Sequence, residues 1–380
     1  MRLAVDGREL FFPYGMGRLL LATIKELLAL YPGLEISVFL NRKREKLLKL
    51  FGEFPAQERR LHFYESSLSL SSLIWENHFL RPNLTDENFD LFYLPHNHTG
   101  LLSIEIPMVA LICDVIPLVL PHFYHFVEET RLRTVNAARL SSRIVTISEC
   151  SKRDCERYLG VPAAKISVNY PGLEGRFTTV KDQAKNKQAL ASLGISPQYF
   201  LNVGGFDPRK NIGVLLRGFA SYLEQSDDQI NLVIVGPLKA LRVHHQPVDL
   251  FQMLKELGLE ERVIFTDVVS DELLVCLYQE AEAMIYPSLY EGFGLPPAES
   301  LACGTPVIVS NASSLPEVVG ESGFYFAPDD YRELANQMAL LRTEKTSTQQ
   351  RVATGAGYIS RFTSRNWADR LYRMFEETVR

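Results

Sequence analysis

The chain has 380 residues, of which 46% are hydrophobic and 22% charged, and its formal net charge is −5. This length predicts two or three domains, and the negative charge argues against general binding of nucleic acid. The five cysteines include no CxxC pair, which argues against a zinc site or a redox dithiol, and their scattered positions are typical of a protein from the reducing cytoplasm.

The first half of the chain alternates short apolar runs with amphipathic segments, which is the pattern of βαβ units around a parallel sheet. It opens without the apolar stretch of a signal peptide, so a cytoplasmic location is expected. The longest apolar run, 101–120, is broken by two acidic residues and two prolines and predicts buried strands rather than a membrane helix. Strands are predicted over 3–5, 36–40, 91–93, 109–112 and 144–147, and a helix over 16–30.

The second half of the chain repeats this pattern. Strands are predicted over 199–203, 231–235, 263–265, 283–286 and 307–309, and a helix over 211–223. Segment 169–175 contains a Pro-Gly pair, breaks the pattern and is a candidate hinge. We therefore predict an α/β fold of two Rossmann-like, doubly wound parallel-sheet domains, 1–170 and 171–360, that face a ligand-binding cleft.

Two amphipathic segments complete this outline. From about residue 346 the chain is predicted to be helical, and Trp367, Leu371 and Phe375 form an apolar stripe that must pack on another element. Segment 41–51 is a basic amphipathic helix. It is interpreted as a surface helix, with docking on anionic lipid at the inner face of the membrane as the alternative.

The motif Glu291-Gly-Phe-Gly-Leu-Pro-Pro-Ala-Glu299 carries the strongest chemical signal. Two carboxylates lie eight residues apart on either side of a glycine turn, with Glu291 expected at a loop tip. The prolines suit the first positions of a helix, and Gly304 suits its C-terminal cap. Backbone N–H groups at a helix N-terminus attract phosphate, and flanking carboxylates accept from hydroxyls. The motif thus predicts a site for a sugar nucleotide.

Residues 287–299 resemble the E-x7-E signature of the family-four retaining glycosyltransferases, which have the GT-B fold. The resemblance implies that Glu299 accepts from the ribose hydroxyls and that Glu291 contacts the donor sugar. It also implies that the diphosphate lies on the backbone amides of Gly292, Phe293, Gly294 and Leu295. In proteins with this fold the last helix packs back on the first domain, which is the role implied for 361–380.

The turn that follows the first strand of the second domain is similar to the family pattern that ends in Pro-Arg-Lys-Asn. The resemblance implies that Arg209 and Lys210 bind the donor diphosphate and stabilise the charge that develops on it. Gly205 stands where some relatives have arginine. Backbone groups near Val268 and Val269 are implied to read the nucleotide base.

Two segments of the first domain are similar to other parts of the family pattern. Gly15 and Gly17, in the turn before the first predicted helix, would let the backbone approach the diphosphate. Residues 111–117 resemble the family segment His-Asp-x-Ile-Pro, with Cys113 in place of the histidine that is thought to touch the transferred sugar. Asp114 is a candidate for binding substrate hydroxyls, or else caps local backbone.

No metal site and no cofactor are predicted. The Asp-x-Asp pair by which other glycosyltransferases hold manganese is absent from the sequence. The histidines of the first domain lack a third ligand at regular spacing. His96, His98, His122 and His125 are interpreted as polar residues of an acceptor pocket or of plain surface loops.

The resemblance implies a metal-independent retaining glycosyltransferase. The donor would be GDP-mannose or a UDP-sugar, and the acceptor a hydroxyl of a glycan, a lipid-linked saccharide or a small molecule. Two alternatives stay open at this point. One is a UDP-sugar epimerase on the same fold, and the other is a non-catalytic nucleotide-sugar-binding subunit of a glycosylation complex, an alternative kept open by Cys113.

Overall fold

The structure is a computed structural model that describes residues 1–11, 15–43, 45, 47, 59–66, 71–237 and 249–380. The chain divides into two compact units. The first consists of Met1–Gly172 and Phe362–Arg380, and the second of Leu173–Arg361. The basic segment predicted over 41–51 lies outside the described residues, apart from 41–43, 45 and 47. None of the described helices combines the length and the hydrophobicity that crossing a bilayer requires.

The first unit is built on a seven-stranded parallel sheet with the order β3-β2-β1-β4-β5-β6-β7. Its strands are β1 Arg2–Asp6, β2 Glu35–Leu40, β3 Leu61–Glu65, β4 Leu91–Leu94, β5 Met108–Leu111, β6 Arg143–Thr146 and β7 Ile166–Val168. All residues of β4 and β5 are buried, because helices and loops cover both faces of a parallel sheet. Its α-helices are Met16–Leu30, Ser72–Ile74, Ile116–Val119, Val127–Leu140, Glu149–Leu159 and Ser364–Val379.

The C-terminal helix Ser364–Val379 packs on helix Met16–Leu30 of the first unit. Trp367, Leu371 and Phe375 are at most 1% exposed, so the predicted apolar stripe is the buried face of this helix. The indole N–H of Trp367 donates to the Thr23 hydroxyl at 2.8 Å. The single helical region predicted from 346 onward is in fact two helices. They are separated at Thr363, whose side chain caps the second one by accepting from the Asn366 N–H.

The second unit contains a six-stranded parallel sheet with the order β10-β9-β8-β11-β12-β13. Its strands are β8 Tyr199–Val203, β9 Asn231–Val235, β10 Val263–Phe265, β11 Ala283–Tyr286, β12 Val307–Ser310 and β13 Gly323–Phe326. Its α-helices are Gln183–Ser192, Ile212–Glu224, Leu250–Glu256, Asp271–Glu280, Leu295–Ala302, Leu315–Val319, Tyr331–Thr343 and Lys345–Ile359. The predicted fold class, two doubly wound parallel-sheet domains, is confirmed.

Each sheet reverses its strand order at one point. In the first sheet β1 lies beside β4, and in the second β8 lies beside β11. Doubly wound sheets bind ligands at the carboxyl ends of the strands on either side of such a reversal. Functional side chains are therefore expected in the loops after β1 and β4 in the first unit, and in the loops after β8 and β11 in the second.

Candidate active site

The loops after β8 and β11 are joined by backbone and side-chain hydrogen bonds. The loop after β8 forms a short 3-10 turn, Pro208–Lys210, capped by the Asp207 carboxylate, which accepts from the Arg209 N–H. The Arg209 carbonyl accepts from the N–H of Leu289, in the loop after β11, at 2.7 Å. Asn211 extends this connection, because its amide donates to the carbonyl of Pro287 at 3.1 Å. The turn that carries the two basic residues is thus fixed against the loop that carries Glu291.

Three predicted site residues meet at this point. The Glu291 carboxylate lies with Oε2 at 2.7 Å from Arg209 Nη1 and with Oε1 at 2.6 Å from Lys210 Nζ. Tyr286, the last residue of β11, donates its hydroxyl to Oε1 at 2.9 Å and accepts from Lys210 Nζ at 2.5 Å. Glu291 lies in the loop between β11 and helix Leu295–Ala302, and it is only 7% exposed. Its carboxylate contacts the two cations rather than open water.

These contacts decide the ionisation of the group. Burial raises the pKa of Glu291, but the charges of Lys210 and Arg209 outweigh it and lower the pKa from 4.5 to about 2. Burial lowers the pKa of Arg209, yet Glu291 raises it above its ordinary value. The pKa of Lys210 is lowered by burial and by the charge of Arg209, and the charge of Glu291 offsets only part of this lowering. At neutral pH the two cations share the Glu291 carboxylate. A second carboxylate, that of Asp207, lies 3.8 Å from Arg209 Nε and is 26% exposed, so water screens it more than Glu291.

The glycine turn leads into helix Leu295–Ala302, with prolines in its first turn as predicted. Gly294 has φ +104°, where an L side chain is strained, and a Cβ atom there would lie 2.7 Å from Leu315 Cδ2. Gly304 has φ +79° directly after the helix, as expected of its C-terminal cap. Gly292 and Phe293 are buried and Leu295 is half-buried.

Two serines after β12 fix this turn. The Ser313 hydroxyl accepts from the Glu291 N–H at 2.9 Å. The Ser314 hydroxyl lies 2.9 Å from the Glu291 carbonyl and 2.8 Å from that of Phe293. Neither serine was predicted, and neither was Tyr286. Tyr286 sits in the apolar strand before the motif, and the serines follow the next strand, so spacing within the motif gives no signal for them.

Glu299 has a different set of contacts from Glu291. It is the fifth residue of its helix, and its Oε2 accepts from the buried Tyr278 hydroxyl at 2.9 Å. Burial, followed by the charge of Glu299, raises the pKa of Tyr278 well above its ordinary value. The tyrosine therefore stays protonated and orients the carboxylate as an acceptor for further donors.

The residues expected near the nucleotide base, Val268 and Val269, follow β10. Val268 is 50% exposed and Val269 is half-buried. The preceding residue, Asp267, has φ +60°, and its carbonyl accepts from the Gly236 N–H at 3.3 Å. A Cβ atom on Gly205 would meet nothing within 4 Å, so this position leaves open space beside the site.

In the first unit, Gly15 caps helix Met16–Leu30 with φ +47°, and Gly17 is buried in its first turn. The Asp114 carboxylate accepts from the Ile116 N–H at 3.1 Å, as in the local capping interpretation. Cys113 is buried, and its Sγ lies 3.1 Å from the sulfur of Met16. Burial raises the pKa of the Cys113 thiol well above its ordinary value, so this residue offers no thiolate in place of the family histidine.

The first unit contains a second group of charged side chains: Asp6 ends β1, Arg8 and His96 follow β1 and β4, and Glu76 belongs to the π-helix Trp75–Leu80. Arg8 Nη2 lies 2.6 Å from Asp6 Oδ2 and 2.7 Å from Glu76 Oε1. His96, one of the histidines interpreted as pocket or surface residues, is buried with Nε2 at 3.1 Å from Asp6. Burial raises the pKa of Asp6, but Arg8 and His96 outweigh it and hold the pKa well below its usual range. Burial lowers the pKa of His98 to about 3, so this ring is neutral.

Across the described ranges, no group of three histidine, cysteine or acidic side chains could hold a metal ion. His122 and His125 are exposed, as the surface-loop interpretation expects.

Comparison with known proteins finds a family match in the second unit. Residues 184–356, which lie within Leu173–Arg361, match the family model described as "Glycosyl transferases group 1". The chain is also similar in sequence to named mannosyltransferases. It is 29% identical over 273 residues to O-antigen chain mannosyltransferase B of Escherichia coli, an alignment that covers 70% of this chain and 67% of that protein. It is 31% identical over 214 residues to O-antigen chain mannosyltransferase RfbU of Salmonella typhimurium, covering 55% of each.

Other relatives are matched over a smaller share of their length. The serotype-specific mannosyltransferases WbdA of Escherichia coli are 25% or 26% identical, and the chain spans only 27% or 28% of them. Among solved structures, HepE of Anabaena in complex with UDP and glucose has a TM-score of 0.75 at 19% identity, with 99% of both chains covered. Sucrose-phosphate synthase of Thermosynechococcus elongatus has a TM-score of 0.77 at 17% identity, covering 99% of this chain and 98% of that one. The similarity to these two solved structures is a similarity of fold.

Proposed function

We propose that the protein is a retaining glycosyltransferase that moves a sugar from a nucleotide-diphospho-sugar to a hydroxyl of a glycan acceptor. The observation that carries this proposal is the convergence of Arg209, Lys210 and Glu291 at the strand reversal of the second sheet. Two neighbouring cations suit a diphosphate, and the carboxylate that lies between them suits sugar hydroxyls. We assign donor binding to 171–360 and acceptor binding to 1–170.

Each residue has a proposed role in the transfer. Arg209 and Lys210 hold the diphosphate and stabilise the negative charge that builds on it as the bond to the sugar breaks. They supply this charge without a divalent metal. Glu299, oriented by Tyr278, accepts from the ribose hydroxyls. Glu291 orients the donor sugar, and the leaving phosphate takes the proton from the acceptor hydroxyl, so no enzyme nucleophile is required.

Mannose is the proposed sugar, and GDP-mannose the first donor to test. Support for mannose comes from relatives named as O-antigen mannosyltransferases. A UDP-sugar is the second donor to test, because a structural neighbour of the same fold holds UDP and glucose. A saccharide, free or lipid-linked, is the proposed acceptor. The lipid-surface contact suggested for 41–51 and the cytoplasmic location stay predictions.

One observation favours a second candidate. The family histidine is replaced by Cys113, whose thiol is buried against Met16. A non-catalytic subunit that binds the nucleotide sugar without transferring it would retain the diphosphate clamp and tolerate this change.

The first test is calorimetric titration with UDP and GDP in EDTA, on the natural protein, Glu299→Ala and Lys210→Ala. Tight binding of one nucleotide that weakens at least about 10-fold in each variant is expected, because a charge-assisted hydrogen bond is worth about 1.5–3 kcal/mol. Failure of the folded protein to bind either nucleotide would overturn the donor site.

Turnover then separates the two candidates. Sugar donors built on the nucleotide that binds are incubated with saccharide acceptors, and the anomeric configuration of the product is read by NMR. A product that keeps the donor configuration supports the retaining reaction, and inversion refutes it. Binding without any release of nucleoside diphosphate favours the non-catalytic subunit. Transfer by Cys113→His would show that the cysteine alone had silenced the site.

A further inference from the structure

The carboxylate of Glu291 occupies the position, between Arg209 and Lys210, where a bound phosphate would be expected. Its two oxygens are divided between the cations, one at 2.7 Å and the other at 2.6 Å. The Arg209 side chain is 19% exposed and that of Lys210 is 12% exposed. An incoming phosphate therefore meets two donors that already have a partner and are largely screened from water.

This pairing is supported from several sides, unlike a surface ion pair. The Tyr286 hydroxyl bridges Lys210 and Glu291, and the ammonium lies 4.8 Å from the centre of the Tyr286 ring. Ser313 and Ser314 hold the backbone of Glu291. Exposed ion pairs contribute little, whereas breaking a buried pair leaves an uncompensated charge in a medium of low dielectric.

We infer that Glu291 acts as an internal anion that competes with the donor diphosphate for Arg209 and Lys210. The inference rests on the proposed function and adds a role in selectivity. A sugar-bearing donor brings hydroxyls, which give the displaced carboxylate new hydrogen-bond donors. A nucleoside diphosphate that has lost its sugar offers no such donors and carries a further negative charge on its terminal phosphate. Glu291 thereby weakens binding of the product and favours its release.

The test is calorimetric titration of Glu291→Gln with UDP, GDP and inorganic pyrophosphate. Glutamine keeps the shape of the side chain and removes its charge. The variant should bind pyrophosphate, and the nucleoside diphosphate that suits the natural protein, at least about 10-fold more tightly, because two charge-assisted contacts no longer oppose the phosphate. Unchanged or weaker binding of both by the folded variant would overturn the inference.

Two further variants serve as controls. Glu321→Gln makes the same charge change at an exposed position of the second unit and should leave both affinities within about 2-fold, since exposed charges are screened by water and salt. Glu299→Gln removes the other carboxylate of the motif. It should weaken nucleoside diphosphate binding, through the ribose, and leave pyrophosphate binding unchanged. Tightening of pyrophosphate binding by all three variants would reduce the effect to net charge and overturn the inference.

Glu291→Gln removes the carboxylate that two half-buried cations share and leaves only Asp207, 3.8 Å from Arg209, so the variant should melt at a lower temperature. Pyrophosphate should then raise its melting temperature more than that of the natural protein, because binding restores the missing negative charge. If the variant does not fold, Tyr286→Phe removes only the hydroxyl that bridges Glu291 and Lys210. It should tighten pyrophosphate binding by roughly 2- to 10-fold, and weaker binding by this variant would count against the competing-anion role.

The outcomes also separate this inference from the proposed function. A natural protein that binds neither UDP nor GDP refutes the donor site itself and, with it, the competing-anion role. Binding by the natural protein that is weakened by Lys210→Ala but not tightened by Glu291→Gln upholds the donor site and rejects the competing-anion role alone.

Discussion

Acid should destabilise the protein through one identifiable carboxylate, that of Glu291. Burial raises its pKa, but Lys210 and Arg209 outweigh burial and lower the pKa from 4.5 to about 2. A carboxylate whose pKa is lower in the folded than in the unfolded chain contributes its full stability above the unfolded pKa. That contribution is lost as the pH falls through the folded pKa. The stability that Glu291 contributes is therefore lost between about pH 4.5 and about pH 2.

The size of the effect follows from the same shift. A difference of about 2.5 pH units corresponds to roughly 3 kcal/mol of unfolding free energy at pH 7. About 2 kcal/mol of this is lost by pH 3, where the carboxyl group is protonated in the unfolded chain but still mostly ionised in the folded protein. Glu291→Gln cannot titrate. The stability difference between natural protein and variant should therefore shrink by about 2 kcal/mol between pH 7 and pH 3.

Urea unfolding at several pH values, followed by far-UV circular dichroism, measures this difference. Tryptophan fluorescence would not serve, because Trp75 and Trp367 both belong to the first unit and Glu291 to the second. Other carboxylates with lowered pKa values, such as that of Asp6, destabilise both proteins in acid and cancel in the comparison. A stability difference that stays constant from pH 7 to pH 3 would refute the assignment of a lowered pKa to Glu291.

Two further predictions concern packing and backbone conformation. Trp367→Ala should lower the unfolding free energy by about 3–5 kcal/mol, because the indole is 1% exposed. Thr23→Ala removes only the hydrogen bond to the indole and should lower it by about 1 kcal/mol. Urea unfolding measures both losses, and equal losses would contradict the packing argument. Gly294→Ala should cost at least about 1–2 kcal/mol in thermal unfolding, since φ is +104°. Gly205→Ala has open space and no positive φ, so it should change stability by less than about 0.5 kcal/mol, and an equal loss there would refute the backbone argument.

The predicted strands were all found to within about two residues, and the three strands that sequence patterns missed share one property. Strands β3, β7 and β13 lie at the edges of their sheets. An edge strand has neighbours on one side only, and β3, with only its first residue buried, lacks the continuous apolar run of a central parallel strand. This reason does not extend to β13, which has three of its four residues buried, and the edge strand β10 was predicted. The central strands β4, β5 and β11 are buried throughout and were evident in the sequence.

The residues of the candidate site could be predicted from the sequence, but not their mutual contacts. Arg209, Lys210 and Glu291 stand in short motifs with a recognisable strand–turn–helix context. The burial of Glu291 depends on two cations that are more than 80 positions earlier in the chain and arrive through the pairing of β8 with β11. Tyr286 could not be recognised as a site residue either, because a tyrosine at the end of an apolar strand has the pattern of a core residue.

The two strand reversals hold similar charges in different arrangements. Beside β1 and β4, Arg8 lies between Asp6 and Glu76 at 2.6 and 2.7 Å, Arg133 lies 3.6 Å from Glu76, and both carboxylates are fully buried. Beside β8 and β11, two cations hold the Glu291 carboxylate, and the second carboxylate, that of Asp207, lies 3.8 Å from Arg209 and is 26% exposed. A carboxylate that water screens opposes an incoming anion less than a buried one does. This difference is the reason for proposing that a diphosphate binds in the second unit rather than in the first.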